Sequence, residues 1–253
     1  MDNSYGVRRV LEPQHVLSTS AWKVDNNREI YPNEIRVSIK KLHLEGTSFK
    51  QICIESNNHP EKIKDRIIDI VIKRGKLHNP VTDTGGLLCG VVEKIGEEYD
   101  NKKGLKEGDE IICNASLAAI PLYISRITKI DMAYNQVDAE GYAILFNEFP
   151  IVRKPEEVPL NLLLFAFDES GTMYTVSRCA RDKKNFLIVG SNLLTNSLFG
   201  FAIRKVAGPD ARIVCLIDNK SEVMLKGKSI DLLLNNVFSE IYYVNILKPM
   251  ECL

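Results

Sequence analysis

The sequence predicts a mixed α/β fold, α+β overall, in which a partly open β-barrel precedes a shortened parallel sheet. This prediction rests on three observations. The first half reads as short strands separated by glycine-containing turns. The second half alternates strands with helices, which is typical of parallel βαβ units. The chain after Gly190 has room for β-α-β-α-β and no more, whereas a complete dinucleotide-binding fold has two such halves. We expect a barrel domain at 1–155 and a truncated nucleotide-type domain at 156–253.

In the first half, Ile35, Val37 and Ile39 alternate with polar residues, which predicts a half-buried strand. One helix interrupts the strands. It begins at Pro60, carries isoleucines on one face, and ends before Gly75. A glycine-rich stretch at 85–96 and the turn Gly108-Asp109 then predict further strands.

In the second half, prolines at 150, 155 and 159 mark the boundary between the domains. Short apolar runs predict buried parallel strands, and helical patterns lie between them. In chain order the predicted elements are the strand Phe186–Val189, the helix Leu193–Ala207, the strand Ile213–Ile217, a helix from Ser221 to about Asn236, and the strand Ile241–Ile246.

Composition excludes several functions. The 253 residues carry 33 basic and 33 acidic side chains, which argues against strong non-specific electrostatic binding to nucleic acid or to an acidic membrane. No apolar run approaches the roughly 20 residues of a membrane span, and the N-terminus has no apolar signal segment. The six cysteines form no Cys-x-x-Cys pair. We therefore expect a cytoplasmic protein with no nucleic-acid or membrane partner and no disulfide framework.

The motifs resemble those of the medium-chain dehydrogenase/reductase family. The segment 85–96 has glycines where that family's Gly-His-Glu-x-x-Gly-x-Val-x-x-x-Gly segment has them, Gly108-Asp109 matches its Gly-Asp turn, and Gly171-Thr172-Met173-Tyr174 resembles its Gly-Thr-Ala-Tyr helix. The resemblance implies a GroES-like barrel followed by a Rossmann-like sheet.

A closer resemblance is to the L-erythro-3,5-diaminohexanoate dehydrogenase branch of that family. It covers nearly the whole chain and is densest before residue 150, in Gly6–Pro13, Ala21-Trp22, Asn33–Ile35, Ser48–Ile52, Arg74–Lys76, Asn79–Thr82 and Gly141–Phe146. The resemblance implies an enzyme of bacterial lysine fermentation that oxidatively deaminates a diamino acid with a nicotinamide cofactor.

The resemblance also identifies where a catalytic metal would lie in zinc-dependent members. The corresponding positions are Glu45, Gly86 and Leu87, and two of these residues have no ligating side chain, so we expect no metal. No catalytic residue is assigned from the sequence. The four histidines, His43 among them, are interpreted as surface or packing residues, and Asp168-Glu169 as a solvated turn.

The candidate cofactor-binding residues are Gly190, Asn192 and Asp218. A dinucleotide site uses the pattern G-x-G-x-x-G between a strand and a helix, and here only Gly190 remains of its glycines. Asn192, Leu193 and Asn196 occupy places where the related enzymes carry glycine. Asp218 follows the second strand, where an acidic residue accepts the ribose hydroxyls in NAD sites, although an Asp there can equally cap a loop or a helix.

Two hypotheses follow. The first is a non-catalytic, dehydrogenase-like accessory protein of lysine fermentation, with no cofactor, acting in a lysine 5,6-aminomutase reactivating factor beside an aminomutase or ATPase partner. It is favoured here because the cofactor loop is degenerate. The second is a working NAD(P)-dependent L-erythro-3,5-diaminohexanoate dehydrogenase whose nucleotide site is completed by a second chain, as in a homo-oligomer.

Overall fold

The structure, a computed structural model, describes residues 5–190, 193–218 and 234–245, and for Glu169, Ser170 and Leu194 it describes the backbone alone. Its contacts divide the chain into two compact units, Met1–Asp168 and Glu169–Leu253. The division falls after the boundary that the sequence predicts at residue 155. The reason is packing, because Leu163 and Leu164 join the same apolar cluster as Leu87 of the first unit.

The first unit is built on antiparallel strands. A small sheet pairs β1 (Val10–Glu12) with β2 (Lys23–Val24). A six-stranded sheet has the order β6-β7-β3-β4-β5-β8, so in the described part of the chain its two ends, β6 and β8, do not pair and the sheet is open. Ile35, Val37 and Ile39 are buried, as their alternation predicts. The six strands are β3 (Glu34–Leu44), β4 (Gly86–Ile95), β5 (Glu110–Cys113), β6 (Leu122–Asp131), β7 (Gln136–Phe146) and β8 (Ile151–Arg153).

Two helices, rather than the one predicted, interrupt these strands. Helix α2 (Pro60–Arg74) has the predicted bounds, and Gly75 ends it in the left-handed conformation with φ 69°. Helix α1 (Gly46–Glu55) was not predicted. It begins at an N-cap formed by Glu45, whose carboxylate accepts hydrogen bonds from the Thr47 and Ser48 amides. Sequence rules miss this start because they favour Ser, Thr, Asp and Asn as caps.

The second unit contains a parallel sheet, which confirms the predicted fold class. Three strands lie in the order β11-β10-β9, and both pairings are parallel. Most of the predicted helix at 221–236 lies outside the described residues, although 234–237 are helical. The last strand ends at Val244, and residue 246 is outside the described range. The elements after β8 are α3 (Leu160–Ala180), β9 (Asn185–Gly190), α4 (Leu193–Ala207), β10 (Arg212–Asp218) and β11 (Glu240–Val244).

Each unit has its own apolar core. Alternate residues of β9 and β10, including Ile188, Ile213 and Ile217, pack with Ile203 of α4 and with Val237. Among the described helices none combines the length and the apolar character that crossing a membrane requires.

A fully buried ion pair joins the N-terminal segment to the start of β3. Arg9 and Glu34 are both inaccessible to solvent, and the Arg9 guanidinium donates from Nε and Nη2 to the Glu34 carboxylate at 2.6–3.0 Å. The same guanidinium donates to the carbonyl groups of Asp25, Asn27 and Glu29. One side chain therefore satisfies three carbonyl groups of the segment that leads into β3.

Gly90 provides a stability test of strand packing in the barrel. A Cβ at this position would lie 2.3 Å from the Ser38 carbonyl oxygen of β3, so we expect Gly90→Ala to destabilise the protein by about 1–3 kcal/mol through overpacking. The control is Gly171→Ala, on an exposed helical position with no atom within 4 Å, which should stabilise by about 0.5–1 kcal/mol. Urea unfolding measures both, and equal effects of the two variants would contradict the strand packing.

Candidate active site

Three elements of the first unit bring a histidine, a glutamine and an aspartate together. His43 on β3 and Gln136 on β7 are register partners in the antiparallel sheet. Asp168 lies on α3, and its Oδ2 is 3.3 Å from Nε2 of His43. The Gln136 side-chain nitrogen is 3.4 Å from Nδ1 of His43 and 2.8 Å from the Asn161 carbonyl oxygen. These contacts form one chain of hydrogen bonds from the Asn161 backbone to Asp168.

The hydrogen bonds assign the histidine tautomer. The Asn161 carbonyl can only accept, so the Gln136 group beside it must be the NH₂ end of the amide. That NH₂ group also donates to Nδ1 of His43, which must therefore carry a lone pair. The ring proton then resides on Nε2 and is donated to Asp168. His43 is thus a neutral donor that holds the Asp168 carboxylate in place.

Asp168 is the member of this chain that reaches solvent. The His43 side chain is 2% exposed and Gln136 is fully buried, whereas the Asp168 side chain is 25% exposed. The Phe165 ring lies edge-on to His43, with ring centroids 6.4 Å apart, and contributes to its shielding. A carboxylate that is fixed on one side and accessible on the other can bind a ligand ammonium group and accept a proton from it. We identify Asp168 as the candidate acid/base group and His43 as its positioning residue.

Glu45, the residue after β3, makes a second polar cluster. Burial raises its pKa, but hydrogen bonds from the Thr47 and Ser48 amides and from the Thr47 and Thr84 hydroxyls outweigh burial, so the pKa lies below its usual value. Glu45 is therefore ionised at neutral pH. Because its oxygens cap α1 and hold Thr84, its role in this structure is to shape the loop.

The positions that correspond to metal ligands serve the packing of β4. Gly86 has φ 146°, and a Cβ there would lie 1.9 Å from the His43 carbonyl oxygen, so this glycine lets β4 approach β3. Leu87 is buried in an apolar cluster. Within the described residues, no three side chains of His, Cys, Asp or Glu lie together in a way that could hold a metal ion.

The buried thiols do not supply a nucleophile. Burial, with smaller contributions from Glu110, raises the pKa of Cys89 to about 12. Burial likewise raises the pKa of Cys113 to about 12. Both thiols are therefore protonated at neutral pH, and the thiolate is the reactive form.

Two of the three candidate cofactor-binding residues lie at the carboxyl edge of the parallel sheet. Gly190 ends β9 and Asp218 ends β10, and Gly190 pairs in register with Ile217, the residue before Asp218. Nucleotides bind at this edge of parallel α/β sheets, so the two residues fit a dinucleotide site. Asn192 lies outside the described residues. The assignment of all three to cofactor binding stays a prediction.

Asn196 packs directly against Gly190, where a side chain would force Asn196 to move. A Cβ on Gly190 would lie 2.4 Å from Oδ1 of Asn196, and Nδ2 of Asn196 donates to the Gly190 carbonyl oxygen at 3.2 Å. The buried Asn196 side chain therefore lies directly against the end of β9. Close approach of helix and strand is one of the functions of glycines in dinucleotide loops, and here Gly190 performs it.

Sequence reasoning missed the Asp168 site. The interpretation of Asp168-Glu169 as a solvated turn is wrong, because α3 continues through both residues to Ala180. The interpretation of His43 as a packing residue overlooked its hydrogen bonds. His43 and Asp168 are 125 positions apart, so no local spacing links them. The one available signal was that an ionisable residue, Asp168, directly follows the apolar run from Leu160 to Phe167.

Comparison with known proteins identifies one family. Residues 8–155 match the family described as the L-erythro-3,5-diaminohexanoate dehydrogenase N-terminal domain. The chain is also 35% identical over 249 residues to L-erythro-3,5-diaminohexanoate dehydrogenase of Fusobacterium nucleatum, covering 98% of this chain and 70% of that protein. It is 32% identical over 249 residues to the protein of the same name from Acetoanaerobium sticklandii, covering 98% of this chain and 71% of that protein.

Solved structures match more distantly. The zinc-dependent alcohol dehydrogenase 2 of Streptococcus pneumonia in its apo form has a TM-score of 0.46 at 17% identity, and the match covers 92% of this chain and 59% of that one. An alcohol dehydrogenase of Thermotoga maritima has a TM-score of 0.46 at 12% identity, covering 88% and 60%. The chain spans about three fifths of the length of these solved proteins.

The two relatives named L-erythro-3,5-diaminohexanoate dehydrogenase overturn the first of the two hypotheses. Both curated relatives are named as a dehydrogenase, so the hypothesis of a non-catalytic accessory protein without a cofactor is wrong. The error came from giving the lost glycines of the nucleotide loop more weight than the likeness over the rest of the chain. The comparisons give no support to a part in aminomutase reactivation.

Proposed function

Because the chain belongs to the L-erythro-3,5-diaminohexanoate dehydrogenase family, we propose that it catalyses the nicotinamide-dependent oxidation of 3,5-diaminohexanoate. The observation that carries the proposal is that two curated relatives of this one name match 98% of the chain. On this proposal the protein acts in bacterial lysine fermentation, the pathway that the resemblance implies.

The first unit supports the proposal through the charge of Asp168. A diamino acid carries two ammonium groups, and the partly exposed Asp168 carboxylate has the charge and the fixed orientation to bind one of them. The neutral His43 donates to that carboxylate without cancelling its negative charge. This arrangement favours a cationic substrate group over a neutral alcohol.

The reaction requires the loss of a hydride from carbon and of protons from nitrogen. When bound, the nicotinamide accepts the hydride. Asp168 accepts a proton from the substrate nitrogen, while the Nε2–H of His43 holds its Oδ2 and Gln136 keeps His43 in that tautomer. Water then adds to the resulting carbon–nitrogen double bond and ammonia leaves, so the substrate amine becomes a ketone. The acid/base step is assigned to Asp168.

In the second unit, Gly190 and Asp218 are the residues that would hold the cofactor. Gly190 permits the close approach of α4 to β9, and Asp218 is proposed to accept the ribose hydroxyls of NAD because it ends β10, at the edge of the sheet where nucleotides bind. An acidic residue at this place favours NAD over NADP, whose ribose carries a phosphate.

The proposal is tested with purified protein, L-erythro-3,5-diaminohexanoate and either NAD or NADP. Formation of reduced nicotinamide, followed by its absorbance, together with release of ammonia, is the expected result. In parallel, thermal unfolding is measured with millimolar NAD or NADH, since a ligand that binds more tightly than about 100 μM should stabilise the protein visibly. The absence of both turnover and stabilisation would contradict the proposal.

Asp218→Ala tests the cofactor side. We expect it to weaken NAD binding by about tenfold, because a charged acceptor of hydrogen bonds contributes about 1.5–3 kcal/mol. Calorimetric titration measures the affinity. Asp210→Ala, at an exposed position before β10, is the matched control and should leave the affinity unchanged. An Asp218→Ala protein with the affinity of the unaltered protein would exclude Asp218 from the site.

A further inference from the structure

A polar cavity lies in the first unit, beside the end of α2. It has a volume of about 570 Å³, in the range of small-molecule sites. Its polar lining includes Arg74, His78, Asp83 and the hydroxyl groups of Thr19, Ser20 and Ser116. Trp22, Pro13 and Ala118 supply apolar surface. None of these residues belongs to the Asp168 chain of hydrogen bonds.

Three basic side chains are buried at alternate positions, from Arg74 at the end of α2 to His78 in the segment that follows it. Arg74 and His78 are 5% exposed and Lys76 is fully buried. Asp83, whose Oδ1 is 2.6 Å from Nε2 of His78, is the acidic side chain in the cavity lining, and its side chain is 89% exposed. Buried cations are normally paired, so this region has an excess of buried basic groups over acidic ones.

Burial and the neighbouring basic groups change the pKa values of Lys76 and His78. Burial, with a smaller effect of the neighbouring Arg74 charge, lowers the pKa of Lys76 to about 7, and Asp83 opposes the change only in part. Burial also lowers the pKa of His78, and the charges of Lys76 and Arg74 lower it further. A negative charge placed in the cavity would be stabilised chiefly by Arg74, the basic group of the lining that stays charged at neutral pH.

The Arg74 guanidinium is held ready for such a charge. Its Nε donates to the Trp22 carbonyl oxygen at 2.9 Å and its Nη1 to the His78 carbonyl oxygen at 2.5 Å. The Trp22 ring covers one face, with its centroid 4.3 Å from Cζ. Among the described residues, Nη2 has no hydrogen-bond acceptor. A rigid guanidinium with one nitrogen still available binds a carboxylate at little entropic cost.

Asp83 adds a second requirement for the ligand. Its Oδ1 is occupied by His78, and the exposed remainder of the carboxylate lies in the lining of the same cavity. An anion such as phosphate would be repelled by Asp83. A molecule that carries both a carboxylate and an ammonium group would be attracted at both ends.

We propose that this cavity binds a small zwitterionic amino acid, with its carboxylate on Arg74 and its ammonium group on Asp83. The inference concerns binding alone and does not depend on the proposed dehydrogenase activity. It is therefore tested without a nicotinamide cofactor, and a negative result in either experiment leaves the other unaffected.

The test is a calorimetric or NMR titration of the full chain with three probes: β-alanine, propionate and inorganic phosphate. β-Alanine and propionate differ by the ammonium group, so they measure what Asp83 contributes. We expect β-alanine to bind at least tenfold more tightly than propionate, and phosphate to bind more weakly than both. An order in which phosphate binds most tightly would overturn the proposal, as would the absence of β-alanine binding at tens of millimolar.

Two variants localise the binding. Asp83→Asn changes an exposed side chain. In this variant β-alanine should bind no more tightly than propionate, and propionate should bind more tightly than it does to the unaltered protein. Arg74→Gln should abolish binding of both, and Arg66→Gln, on the same helix but paired with Glu55 and Asp69, is its control and should change nothing. If Arg74→Gln does not fold, the Asp83→Asn titrations decide. Unchanged β-alanine affinity in Asp83→Asn would overturn the proposal.

Discussion

Replacing Asp168 by asparagine lowers kcat for oxidation of 3,5-diaminohexanoate by a factor of roughly 10²–10⁴, which is the usual contribution of a general acid/base group. Asparagine has nearly the same shape, so it can still accept the hydrogen bond from His43, but it can neither accept a proton nor balance an ammonium charge. Initial rates at saturating NAD measure the effect. The fold should be retained, because Asp168 is partly exposed at the protein surface.

Asp65→Asn is the matched control for this change. Asp65 is an exposed residue of α2, so the same loss of one carboxylate should leave kcat unchanged there. His43→Gln separates positioning from acid/base chemistry, because it should lower kcat less than Asp168→Asn while shifting the pH profile of kcat. An Asp168→Asn enzyme with more than a tenth of the original kcat would contradict the assignment of Asp168.

The largest expected loss of stability comes from breaking the buried pair of Arg9 and Glu34. Arg9→Met should lower the free energy of unfolding by about 3–5 kcal/mol, because it leaves the Glu34 carboxylate buried without its cation. Three carbonyl groups at the entrance to β3 lose a donor at the same time. Urea unfolding followed by circular dichroism measures the change.

Two further variants make this prediction specific. The double variant Arg9→Met with Glu34→Leu should recover part of the loss, since no unpaired charge then remains in the core. Arg126→Met breaks an exposed ion pair with Glu140 on the neighbouring strand and should change the stability by less than about 1 kcal/mol. If Arg9→Met costs no more than Arg126→Met, the buried pair does not stabilise the fold.

Local patterns in the sequence predicted the elements that depend on local physics. Helix α2 has the bounds set by Pro60 and Gly75, and the alternation from Ile35 to Ile39 corresponds to a half-buried strand. Helix α1 was missed because Glu45 caps it with a side chain that is rarely used for that purpose. The predicted turn between an apolar helix and Gly171 was wrong because α3 runs through Asp168 and Gly171 without a break, and glycine within a helix costs only about 1 kcal/mol.

The sequence of the nucleotide loop led to the wrong hypothesis about function because it was compared with a single motif. The loop lacks glycine at three positions where the related enzymes carry it, and this was taken as evidence against a cofactor. The G-x-G-x-x-G pattern, however, describes only one way of packing a helix against a strand. The structure has a different solution, in which the Asn196 side chain occupies the space beside Gly190. The relatives named as dehydrogenases show that the loop motif alone was not a sufficient guide to function.

By itself, the sequence determined the fold class, most of the helices and strands, and the family likeness, since periodicity, capping residues and motif order are properties of neighbouring positions. Only the tertiary structure decided where the candidate active site lies. Asp168, His43 and Gln136 come from three elements, and their hydrogen bonds depend on the register of β3 with β7 and on the packing of α3. The cavity of Arg74 likewise depends on the return of residues 13–22 to the end of α2. Contacts of this kind arise from long-range pairing, which no local pattern encodes.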